Sequence, residues 1–309
     1  MKSTCLSHSG PVGPGRSARL LLRLALLAAG LAALPARAEV KISEGIYEGR
    51  PHFVVHTGSA TWFFDVAGGG FSRLIDREGR DWIAFRMLPD KGPAGAGGKY
   101  RGLPNMVYGP DYPESGAGHP GFDHCETVQA ARDLLRTTSK SGKWAWTWQF
   151  SEAGAVFTLE KADPAQPWWF IYEGPIGGRF APHRTYWGTD TGGPRREARN
   201  YKLVQEVAEP WRWAYFGTDE VARVLAIASL GDEPLPGVLG YLGATEAGLE
   251  APDGMVVFGL GRDRSRPFQP LLRGAGRRFL VAFIEQAPRS QSGHDAVAKH
   301  VQVLADEFR

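Results

Sequence analysis

Cysteine is almost missing from this chain: 309 residues hold only Cys5 and Cys125. A disulfide framework is excluded, so the fold must rest on an apolar core and backbone pairing. Long hydrophobic runs are missing too. The run from Leu24 to Leu34 falls well short of the roughly 20 apolar residues that a membrane-spanning helix needs. C-x-x-C, H-E-x-x-H and G-x-S-x-G do not occur, which removes the usual signatures of dithiol, zinc-protease and serine-hydrolase chemistry. A phosphate loop ending in Gly98-Lys99 fails because Pro93 stands at its first glycine and Tyr100 replaces the magnesium-binding Ser or Thr. Gly68-Gly69-Gly70 joins two strands rather than opening a helix, so a dinucleotide fingerprint is unsupported. No nucleotide cofactor is expected.

Acidic residues are absent before Glu39. The same stretch carries Lys2, Arg16, Arg19, Arg23 and Arg37, the apolar run, and an Ala36-Arg37-Ala38 end. That order predicts a cleaved signal peptide over residues 1–38 and a secreted or periplasmic protein, with no membrane anchor after cleavage. Five of the 36 basic side chains leave with it, so 31 face 33 acidic ones and the remainder is slightly acidic, at −2. The cationic footprint of a nucleic-acid binder is therefore lacking. Cys125 then stands alone, and a lone cysteine reads as a small buried hydrophobe.

What remains, residues 39–309, reads as one all-β domain, a large antiparallel β-sandwich with a C-terminal helix. Short β-branched and aromatic runs at 52–56, 60–65 and 71–75 are cut by Gly and Ser, and 81–85 is expected to continue the last as a hairpin. Trp144, Trp146 and Trp148 alternate with small residues, which puts three indoles on one strand face, the core face. In a strand, Trp168 and Trp169 must point opposite ways. Further strands are expected at 154–160, 168–173, 212–216, 222–229, 254–260 and 278–284. Val297, Val301, Leu304 and Phe308 recur at helical spacing, with Asp295 near the start. Segments 89–121, 174–200 and 231–253 break the strand rhythm. The first two hold too many aromatic and cationic side chains for disorder, which makes them candidate site loops.

Three clusters carry potential chemistry. Around Tyr100, the Arg101 fork and the Asn105 amide, stiffened by Pro104, suit a carboxylate or sugar hydroxyls; a structural loop closed by Asn105 is the equal alternative. Residues 118–126 gather His119, Asp123, His124, Cys125 and Glu126, but the two histidines lack a metal-ligand spacing. A His in such a Gly/Pro loop can serve as a base near neutral pH, while one of the two is expected as a structural hydrogen-bonder. Finally, His183, Arg184, Tyr186 and Trp187 follow Tyr172-Glu173, a mixture suited to stacking on a pyranose and bonding its hydroxyls. An aromatic loop packed on the sandwich rim fits that third segment equally.

The order Ala60–Asp65, Gly68-Gly69-Gly70, Phe71–Asp76, Gly79 and Asp81-Trp82 resembles the opening of galactose-mutarotase-like β-supersandwich domains. These occur in aldose epimerases and in β domains of polysaccharide lyases and glycoside hydrolases. The resemblance implies a concave face lined by His, Arg, Tyr and carboxylates. In epimerases a His acid and a Glu base flank the sugar ring, roles open here to His183 or His119 with Glu173. An exported chain favours a lyase or hydrolase. The leading expectation is a polysaccharide lyase acting on a uronate glycan by β-elimination. Arg101 and Asn105 would neutralise the carboxylate, His183 or His119 would be the base, and Tyr186 base or acid. Trp187 would stack on the glycan, with Tyr100, Arg184, Glu173 and His124 as further contacts. The alternatives are a glycan-binding module without turnover and a hydrolase using Glu173 and Asp190. A divalent cation such as calcium is left open, with no metal ligands assigned.

Overall fold

Alternating side chains decide where this chain pairs. In the computed structural model, Met1 and residues 39–87, 98–196, 204–205, 210–242, 254–263 and 269–308 are described. The expected signal peptide lies outside them apart from Met1, as do parts of the three expected loops. By its contacts the chain divides into Met1–Ala38 and Glu39–Arg309, and the second unit holds every element below. Its strands begin with β1 (Lys41–Tyr47), β2 (Arg50–His56), β3 (Ala60–Asp65), β4 (Phe71–Asp76), β5 (Cys125–Ala131) and β6 (Leu134–Ser139). Next come β7 (Ala145–Phe150), β8 (Gly154–Lys161), β9 (Phe170–Gly174), β10 (Thr185–Thr189), β11 (Gly192–Arg195), β12 (Val204–Gln205) and β13 (Trp213–Thr218). The chain ends with β14 (Val224–Ser229), β15 (Gly237–Leu242), β16 (Met255–Leu260), β17 (Arg262–Asp263), β18 (Gln269–Pro270), β19 (Arg278–Ile284) and helix α1 (Gln291–Glu307).

One layer is a nine-stranded sheet in the order β11-β10-β13-β14-β19-β8-β7-β6-β5. The other is built from the meander β1-β2-β3-β4 and the sheet β12-β15-β16-β9. Every named pairing is antiparallel. Between the layers lies the main core, where Phe279, Val281 and Phe283 of β19 meet Trp62, Phe71, Phe170 and Phe258. The alternate β19 residues Leu280, Ala282 and Ile284 face Val297 and Val301 of α1. That double coverage explains the continuous apolar runs. Trp144, Trp146 and Trp148 are fully buried in the main core, and Trp148 meets Phe71 edge to face at 4.7 Å.

Ser290 caps α1 by accepting from the Gly293 N–H at 3.3 Å. Ser290→Ala is expected to cost about 1 kcal/mol in urea denaturation; an unchanged midpoint would count against the cap.

Residues 81–85 do not form the expected hairpin strand. Asp81 makes a single bridge to Ile75, and its carboxylate accepts the N–H groups of Ile83 and Ala84, which diverts the backbone from pairing. Segment 174–200 contains β10 and β11, and 231–253 contains β15, so neither is wholly loop. Cys125 is buried, and burial pushes its thiol up to about 12.

Candidate functional site

The site grows from one short irregular segment. Residues 102–106 run along the free edge of β9. Gly102 and Glu173 exchange backbone hydrogen bonds at 2.9 Å, and the N–H groups of Ile171 and Trp169 donate to Pro104 and Met106. On its other side the Phe71 N–H donates to Leu103 O at 2.7 Å, so this segment stitches the two four-stranded sheets into one layer. Period two along β9 sends Phe170 and Tyr172 into the main core, while Trp169 and Ile171 join a separate outer cluster. Glu173 shares that outer face.

A cavity of about 330 Å³ opens there, and Tyr100, Asn105, His119, Trp169, Glu173 and Arg262 are among its walls. Asn105 adopts a left-handed backbone with φ of 47°, a conformation asparagine tolerates. Its amide nitrogen donates to the Glu173 carboxylate and, at 3.1 Å, to Tyr100 O. A Cβ on Gly102 would stand 2.4 Å from the Asn105 side-chain oxygen, so only glycine permits this fold-back. His119 Nε2 lies 3.1 Å from the same Tyr100 carbonyl, and its Nδ1 lies 2.6 Å from Pro120 O. Glu173 and His119 are therefore tied through Asn105 and one shared carbonyl.

Burial raises the Glu173 carboxyl to about 7, against the opposing pull of the Asn105 hydrogen bond and the Arg262 charge. Burial also lowers the His119 imidazole below its ordinary value. A neutral ring can donate to only one of its two carbonyl neighbours, which leaves the other nitrogen poorly matched until it gains a proton. Burial likewise lowers the Arg262 guanidinium, while Glu173 pulls it back up.

The rim is aromatic. Tyr100, Tyr108 and Phe122 are all more than a third exposed. Tyr108 stacks on Trp169 with centroids 5.3 Å apart and planes at 11°, and the Arg262 guanidinium stands 5.3 Å from the Trp169 ring centroid. Trp169 thus backs one face of the half-exposed Tyr108 ring. Phe122 meets His119 edge to face at 5.3 Å. Buried Asp65 holds this loop: its carboxylate accepts from Arg50 at 2.7 Å, from Gly121 N at 2.8 Å and from Ala67 and Gly68 N.

Tyr100, Asn105, His119 and Glu173, expected from three separate clusters, meet here. The other expected residues do not line this cavity. Arg101 is buried and donates to the Ala84 and Gly254 carbonyls at 3.0 Å, a structural use of its fork. Trp187 is only 3% exposed, inside the main core, and offers no face to a glycan. Tyr186 points from β10 to the α1 side, because neighbours on a strand face opposite ways. Arg184 donates to His183 Nε2 at 3.3 Å and pairs with Glu220 at 2.7 Å. His124 stacks on Phe122 at 5.7 Å just outside the cavity. Asp190, the hydrolase partner considered for Glu173, pairs with Arg212 at 3.1 Å instead. Arg262 was not anticipated; its signal is a cation two positions past the buried apolar run of β16. Among the described residues, no group of three or more His, Cys, Asp or Glu side chains is placed to hold a metal ion.

The fold is that of the galactose-mutarotase-like proteins. The structure matches HI1317 with a TM-score of 0.50 at 10% identity, covering 82% of this chain and 98% of that one. It matches YeaD from Salmonella typhimurium, described as a candidate mutarotase, with a TM-score of 0.50 at 8% identity, covering 84% and 99%. A galactose mutarotase-like protein from Lactobacillus casei aligns at 0.45 and 10% identity, over 75% and 100%. No protein-family profile matches the sequence, and no curated sequence is significantly similar to it.

Proposed function

We propose that this protein binds a carbohydrate in the Glu173 cavity and transfers protons on it, with Glu173 as base and His119 as the partnering acid. The observation that carries the reading is a carboxyl raised to about 7, bonded by Asn105 and tied to His119, at the base of an aromatic-rimmed cavity. A base is most effective when its pKa lies near the working pH. Aromatic faces suit the apolar side of a pyranose, and the cavity is of a size for a small ligand. On a free aldose, ionised Glu173 would take the anomeric hydroxyl proton while His119, in its imidazolium form, protonates the ring oxygen. The C1–O5 bond then opens to the aldehyde, and reclosure on the other face gives the opposite anomer.

Elimination from a uronate is the second reading. Asn105 and His119 favour it, whereas Arg101 and Tyr186 lie outside the cavity. Incubation with aldoses and with uronate polysaccharides separates the two: faster anomer exchange supports the first, a rise at 235 nm the second, and neither with either substrate sinks both. Tyr108→Ala is expected to weaken sugar binding up to about tenfold in calorimetric titration; unchanged affinity would remove the aromatic rim from the account. Export through a cleaved leader belongs to the same proposal. It rests on the basic, acid-free N-terminus, and N-terminal sequencing of the mature protein should begin at Glu39; retention of Met1 would contradict it.

A further inference from the structure

Arg262 reaches the Glu173 cavity against the alternation of its own strand. Along β16, Val256, Phe258 and Leu260 face the main core, while Met255 and Val257 join the outer cluster. Period two would send residue 262 into the core after them. Gly261 prevents this with a left-handed φ of 89°. A Cβ there would stand 2.4 Å from Leu272 Cγ, so only glycine makes the turn. Beyond it Arg262 pairs with Pro270 in the short ribbon of β17 and β18, and its side chain lines the cavity. The guanidinium stands 5.3 Å from the ring centroid of Trp169, whose indole N–H donates to Asn105 O.

The charge of the cavity follows from this placement. Between their two pKa values Glu173 and His119 hold one proton, so both are neutral or they carry opposite charges. Apart from Arg262, the remaining described walls are aromatic, amide, hydroxyl or apolar. Arg262 therefore gives the described walls one net positive charge wherever that proton sits. A buried charge is stabilised by a partner of opposite sign. A guanidinium has five N–H donors, enough to serve the protein and a ligand carboxylate together.

We propose that the sugar taken by the Glu173 cavity is a uronic acid, with its carboxylate bound by Arg262. The assignment rests on the cavity being a sugar site and names the substrate class of that site. One guanidinium fork matches one carboxylate, and one negative charge balances one positive charge. A phosphate ester carries about −1.5 to −2 near neutral pH and would leave the cavity negative. Arg262 thus takes the role that the sequence suggested for Arg101.

The test is calorimetric titration and exchange NMR of the whole protein with glucuronic and galacturonic acids, each beside its parent aldose and its uncharged uronamide. Neutral pH and matched ionic strength are kept throughout. Each uronate should bind at least about tenfold more tightly than its neutral partners, the usual weight of a hydrogen bond between charged groups. Arg262→Gln should bring that ratio to within about threefold of one, and Arg262→Lys, which keeps the charge without the fork, should fall between. The uronate–uronamide comparison needs only the parent protein, so it decides the matter even where a variant fails to fold. Neutral sugars bound and interconverted as well as their uronates would overturn the assignment and leave the sugar site standing. A uronate preference undiminished in Arg262→Gln would do the same. No binding and no exchange with any of these sugars would overturn the sugar site itself, and the Arg262 assignment with it.

Discussion

Glu173→Gln is expected to slow anomer exchange by about 10²–10⁴-fold, the usual contribution of a positioned acid or base. Gln keeps the volume and can still accept from the Asn105 amide, so sugar affinity should change far less than turnover. In the parent protein, kcat/KM should peak between the lowered His119 value and about 7 and fall on either side, because turnover needs Glu173 ionised and His119 protonated. Stability follows pH differently. Burial holds the proton on folded Glu173 to about 7, against an ordinary value of 4.5. Between those values the folded state binds more protons than the unfolded one, so stability falls as pH rises through this window. The loss is on the order of 3 kcal/mol and is complete above the folded value. Glu173→Gln escapes it. The variant should therefore be more stable than the parent at pH 8 and equal to it near pH 4. Full activity in the variant, or identical denaturation curves at both pH values, would remove Glu173 from its role.

Asp65→Ala carries the second large effect. The carboxylate is fully buried and engages Arg50 together with three backbone N–H groups from two loops. Arg50 also donates to Phe122 O at 2.7 Å and pairs with Asp123 at 2.8 Å, where it holds the Asp123 carboxyl below its ordinary value. Removing one member of a buried ion pair strands the other, at a cost of about 3–5 kcal/mol. The loop that presents His119 and Phe122 loses its anchor at the same time. Denaturant titration should show that loss of stability, and the residual folded protein should bind sugar more weakly. A shift under 1 kcal/mol would mean that Arg50 and the loop N–H groups find other partners.

The sandwich was legible wherever both strand faces are covered. β8, β14, β16 and β19 are apolar runs because one face meets the main core and the other meets α1 or the outer cluster. β5 and β6 escaped notice because much of their surface is exposed and polar, with Glu126 and Arg136 in the solvent. β10 was hidden in a segment whose aromatic and cationic residues resemble a site. Those residues instead divide between the core, where Trp187 lies, the α1 side, where Tyr186 lies, and the pair that Arg184 makes with Glu220. For the site, residue chemistry singled out Tyr100, Asn105, His119 and Glu173 one at a time. Their assembly depends on the 102–106 segment pairing with β9, a contact across 68 positions between Asn105 and Glu173 that no local spacing encodes. The same distance hid the separation of Arg101 from its neighbour Asn105: one turns to the Ala84 and Gly254 carbonyls, the other to the cavity.

The most direct test of the sugar-site account is exchange NMR on a panel of aldoses and uronic acids, comparing anomer interconversion with and without the purified protein. The account predicts that at least one sugar will interconvert faster in proportion to protein concentration, with the acceleration lost in Glu173→Gln. Uncatalysed rates across the panel, or acceleration that survives Glu173→Gln, would contradict it.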